Sequence, residues 1–108
     1  MLPSALAATA RLLARSRRTV FDAAAPADEA LLLAIAVLRH VGARITRYEA
    51  EAGALEARLT RWGREGLVRV SAAGETPARV TVEWDVVGGR AIERLLRTEL
   101  TRTRQWER

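Results

Sequence analysis

A chain of 108 residues with no cysteine and a single histidine, His40, has no material for disulfides, thiolate chemistry or a transition-metal ligand cluster. Its longest apolar run, residues 30–38, stops well short of the roughly 20 residues a membrane span needs. The net charge is +5 and all eighteen basic residues are arginines, which fork onto phosphates and carboxylates better than lysines do. Residues 1–21 hold four arginines and no acid, and residues 88–108 hold six arginines against three acids, while the middle is balanced. Basic ends around a neutral middle point to anionic partners.

Residues 1–25 read as a basic amphipathic segment, helical over residues 4–21. Leu6, Leu13 and Val20 recur every seven residues, and Arg11, Arg15 and Arg18 share another face. An acid-poor segment of this kind opens either a bacterial protein or a mitochondrial one, where it would act in targeting. Residues 22–27 break the pattern. Pro26 suits a helix's first turn, and Asp28 and Glu29 complement its positive end.

From there the dominant feature is a heptad seam. Leu31, Ala34, Leu38, Val41, Ile45, Tyr48, Ala52, Leu55, Leu59 and Trp62 follow one another at alternating spacings of three and four, and all are apolar. The seam predicts one helix over residues 28–65, about 57 Å long at 1.5 Å per residue. So long a helix cannot bury its stripe within so small a chain. A dimer is therefore expected, with Leu38, Val41, Ile45, Tyr48, Leu55, Leu59 and Trp62 at the interface. Gly42 and Gly53 lie off the seam and weaken the helix by about 1 kcal/mol each, with a kink or break at Gly53 compatible with the pattern.

Gly66 is placed to end that helix. Residues 67–71 and 78–87 are rich in β-formers, with turn chemistry between them, and predict a hairpin over residues 67–87. Val80, Val82 and Trp84 alternate with Thr81, Glu83 and Asp85, which gives one buried and one wet face. A lone hairpin is marginal in water, so its apolar face must pack on a helix or its edge on a partner. Gly88 and Gly89 lead into a basic C-terminal helix over residues 90–106. Arg90, Arg94, Arg97, Arg104 and Arg108 lie within about 40° of one line on its surface, and Ile92, Leu95, Leu96, Leu100 and Trp106 fill the opposite half.

Catalytic machinery is not evident. The chain has no phosphate-binding glycine loop, no nucleophile elbow and no carboxylate pair on one helix face, and one histidine cannot build a triad. No enzyme activity, metal or cofactor is expected. The arginine faces are the best functional candidate. Arg90, Arg94, Arg97, Arg104 and Arg108 with Arg11, Arg15 and Arg18 are placed to contact phosphates without reading bases, so binding to double-stranded DNA or another nucleic acid should be sequence-nonspecific and salt-dependent.

Residues 55–85 have a superficial likeness to a winged helix-turn-helix, although residues 46–66 are short for two helices and a turn. The closer resemblance is to the YbaB/EbfC nucleoid-associated family. It is carried by Gly66-Leu67-Val68-Arg69-Val70, Gly74, Val80-x-Val82-x-Trp84-Asp85 and Val87. The family's Asp-Pro is Asp85-Val86 here. This resemblance covers the hairpin region alone and implies a DNA-coating homodimer in the cytoplasm, at the nucleoid.

The sequence thus predicts an α+β fold in one domain over residues 26–108: a long heptad-bearing helix, a β-hairpin and a basic C-terminal helix, assembled as a dimer. Nonspecific nucleic-acid binding is the first functional expectation. The alternative is a small structural subunit of a larger organellar or virion assembly, docking on protein partners through the seam and the arginines.

Overall fold

The computed structural model describes residues 17–75 and 77–102. Strand β1 (Arg17–Asp22) leads to helix α1 (Ala27–His40). Strands β2 (Arg44–Glu49), β3 (Ala54–Arg61), β4 (Arg64–Ala73) and β5 (Arg79–Asp85) follow, and helix α2 (Gly89–Thr101) comes last. The five strands form one antiparallel sheet in the order β1-β5-β4-β3-β2. This is an α+β fold, and the expected hairpin over residues 67–87 is present as β4–β5.

Both helices pack on one face of the sheet. Along β3, β4 and β5 every second residue is buried: Leu55, Ala57 and Leu59, then Val68, Val70 and Ala72, then Val80 and Val82. Helix α1 answers with Ala30, Leu31, Ala34 and Leu38, and α2 with Ile92, Leu96 and Leu100, each a stripe at helical spacing. The opposite sheet face carries charge instead, with ion pairs Arg69–Glu56 at 2.9 Å, Arg58–Glu65 at 3.2 Å and Arg79–Asp22 at 3.7 Å.

The continuous helix over residues 28–65 is not formed. Helix α1 stops at His40 and the rest of the seam is β2, a turn and β3. The stop is written in the backbone: Ala43 N–H donates to Leu38 O at 2.9 Å and Gly42 N–H to Arg39 O at 3.0 Å, with Gly42 at φ +91°. That is a Schellman ending, which places glycine in the left-handed region just past the helix. Gly53 (φ +67°) then turns β2 into β3 where a Cβ would lie 2.3 Å from Ala72 O, so no helix-interior residue fits there.

With the helix broken, the expected interface is dispersed. Leu38, Leu55 and Leu59 are buried in the chain's own core, Val41 and Ile45 pack against it, Tyr48 lies on edge strand β2, and Trp62 is at a hairpin tip. A single helix would leave its apolar stripe for a second chain to cover, whereas the sheet buries most of it within one chain. At the N-terminus, residues 17–22 are a strand and not the end of a helix, with Thr19-Val20-Phe21 supplying its β-formers. Residues 1–16, including Arg11 and Arg15, lie outside the described residues.

Candidate nucleic-acid interface

The topology sorts the arginines. Strands β1, β2 and β4 start at the same end of the sheet where β3 and β5 finish, and there α1 also ends and α2 begins. This end receives Arg17 and Arg18, Arg39 and His40, Arg44, Arg61 and Arg64, and Arg90, with Arg94 one turn further along α2. The opposite end receives Asp22, Asp28, Glu29, Glu49, Glu51 and Glu75, together with Arg79 and Arg102.

Ion pairing divides the arginines further. Among the described residues Arg47, Arg58, Arg69, Arg79, Arg97 and Arg102 pair with carboxylates. Within that same set Arg17, Arg18, Arg39, Arg44, Arg61, Arg64, Arg90 and Arg94 form no ion pair. Every one of these eight belongs to the basic end. Helix α2 adds its positive pole there: its N-cap is Gly88, with no side-chain cap and no acid in the first turn.

Shallow clefts connect these groups. One, between the start of β1 and α2, is lined by Arg17, Arg18, Trp84, Arg90, Arg94 and the Glu93–Arg97 pair. The next passes from Arg17 across Trp84 and Asp85 to Gly88, Gly89 and Arg90. A third continues from Asp85 to Glu65 and Arg64. Asp85 and the Arg58-bound Glu65 are the carboxylates lining the last two. With strands about 4.8 Å apart, the five strand ends span about 19 Å.

Of the arginines expected to bind, Arg90 and Arg94 are exposed on this surface, and Arg18 stands beside them at the start of β1. Arg97 is turned to structural use. Its Nη2 lies 2.8 Å from Glu93 Oε1 and donates to Thr19 Oγ1, and its guanidinium sits 5.5 Å from the centre of the Phe21 ring. Glu93 is buried at 7% exposure while Leu95 is 44% exposed, so the buried face of α2 is rotated from the one expected. Arg104 and Arg108 lie outside the described residues.

Comparison with protein families and with curated proteins finds no match. The site therefore rests on its own geometry. Sequence reasoning missed Arg17, Arg39, Arg44, Arg61 and Arg64, because they come from separate elements that only the sheet order brings together. It also placed Trp62 in the seam. The available signal was Trp62-Gly63 between two alternating runs, the two-residue connection of a tight hairpin.

Proposed function

We propose that the protein binds nucleic acid without reading its sequence, through phosphate contacts made by the basic end of the sheet. The observation that carries this reading is the gathering of eight arginines without ion pairs at one end, where the pairing acids Glu65 and Glu93 are taken up by Arg58 and Arg97. Guanidinium forks and an uncapped helix N-terminus both favour phosphate oxygens. Phosphate contacts of this kind fix position on the nucleic acid and do not read sequence. The resemblance of the β4–β5 region to the YbaB/EbfC family points to the same class of partner. Binding needs no metal, cofactor or reaction.

The test is fluorescence anisotropy of labelled single-stranded and duplex oligonucleotides across a salt series. Micromolar or tighter binding, with log K falling linearly against log salt, is expected. Failure to bind at low salt would refute the proposal.

A second reading draws on the opposite end. Its carboxylates complement the basic end, so copies joined head to tail would build an open filament as a structural assembly subunit. Light scattering separates the two: here mass climbs with protein concentration at low salt, without nucleic acid.

A further inference from the structure

The loop that joins β3 to β4 consists of Trp62 and Gly63, with φ of +56° and +74°. Two successive positive φ values are what a type I′ hairpin turn requires, and Asn, Asp or Gly normally fills its first position. A bulky aromatic there is a genuine outlier. Trp62 is also 88% exposed, and its indole makes no hydrogen bond or ring contact among the described residues. It helps neither the turn nor the core. A strained, exposed aromatic at a hairpin tip points to a role outside folding.

Its surroundings indicate which role. Arg61 and Arg64 flank it and face each other in the last ladder pair of β3 and β4. Arg61 Nη2 donates to Val41 O at 3.4 Å, which ties the hairpin stem to the end of α1. Arg39 and Arg44 lie on either side of that point in the chain. An aromatic plane flanked by two arginines offers the two elements of single-strand recognition, a stacking surface for a base and cations for the backbone. A duplex keeps its base faces largely within the stack, whereas an unpaired nucleotide offers its faces to the indole without unstacking. A membrane anchor would instead need apolar neighbours, and the residues flanking Trp62 are arginines and glycine.

We infer that Trp62 is a stacking platform for an unpaired base, so that the preferred ligand of the basic end is single-stranded nucleic acid. This inference rests on the nucleic-acid reading proposed above and specifies its ligand.

The experiment compares the wild-type protein with Trp62→Asn and Trp62→Phe, using labelled dT12, U12 and a 12-bp DNA duplex at one fixed salt concentration. Asn accepts the left-handed conformation, so the turn is kept, and circular dichroism melting verifies that the variant is folded. The expected result is quenching of tryptophan emission by dT12 or U12 that is larger in the wild type than in Trp62→Asn, which keeps Trp84 and Trp106. Trp62→Asn should weaken that complex on the order of ten-fold while leaving duplex affinity unchanged, and Trp62→Phe should retain most of it. Equal binding of single strands by the wild type and Trp62→Asn would overturn the stacking role and leave the phosphate reading intact. No binding of any oligonucleotide would overturn both. Quenching by vesicles containing phosphatidylserine that is lost in Trp62→Asn, with none by any oligonucleotide, would make Trp62 a membrane contact and overturn the inference.

Discussion

Arg97 and Glu93 show what one misplaced charge does to a helix surface. Glu93 is buried with a side-chain exposure of 9%, and Arg97 closes over it from the solvent side at 2.8 Å while also reaching Thr19 and Phe21. The pair joins α2 to edge strand β1. Arg97→Met should therefore strand a buried carboxylate and cost about 2 kcal/mol in urea unfolding. Adding Glu93→Gln should recover part of that loss, because a neutral amide tolerates the site better. Trp62 predicts the opposite sign. Releasing its strained φ in Trp62→Asn should stabilise the fold by about 1 kcal/mol, raising Tm by roughly 4–8 °C. No gain in Tm would mean that the turn is not strained by the indole. The sequence disclosed neither residue's part: a helical wheel ranks Glu93 with the polar positions, and an apolar seam absorbs Trp62.

At the scale of elements, two periodicities collide. Leu55 and Leu59 are four residues apart, which is one helical turn and also an even step along a strand. The seam counts that spacing for a helix, but Ala57 between them is buried too, while Glu56 and Arg58 face the other side. That alternation is the strand signature. The deciding residues are the two glycines that a seam leaves out. Gly42 has φ +91° with open space around it, so Gly42→Ala should cost about 1 kcal/mol from conformation alone. Gly53 adds a steric clash with Ala72 O, and Gly53→Ala should cost about 3 kcal/mol, with both values read from chemical denaturation. Similar costs for the two would show that backbone approach at Gly53 is unimportant. The β4–β5 hairpin was legible because turn chemistry, alternation and the need for a packed apolar face all agreed there.

Across the whole molecule, the arginines without ion pairs collect at one end of the sheet, and the proposed binding depends on that placement rather than on the net charge of +5. Location and quantity of charge can be separated. Replacing Arg17, Arg90 and Arg94 by Gln should weaken nucleic-acid binding and lower the slope of log K against log salt by about one for each phosphate left without its arginine. Replacing Arg47, Arg79 and Arg102 by Gln changes net charge equally but removes exposed ion pairs on other surfaces. It should leave that slope unchanged, and stability nearly so. Equal weakening in both variants would mean that net charge alone drives binding. Composition settles the total charge and the inventory of reactive groups before any folding is considered. Local pattern settles the β4–β5 hairpin and the alternation of its faces, because turn chemistry and a two-residue period act over short stretches of chain. The folded sheet settles the rest: where the chain reverses at Gly42 and Gly53, which arginines find acids, and which are left together. Those outcomes depend on strand order and register, which bring residues as distant as Arg17, Arg64 and Arg90 to one surface and which no short-range pattern encodes.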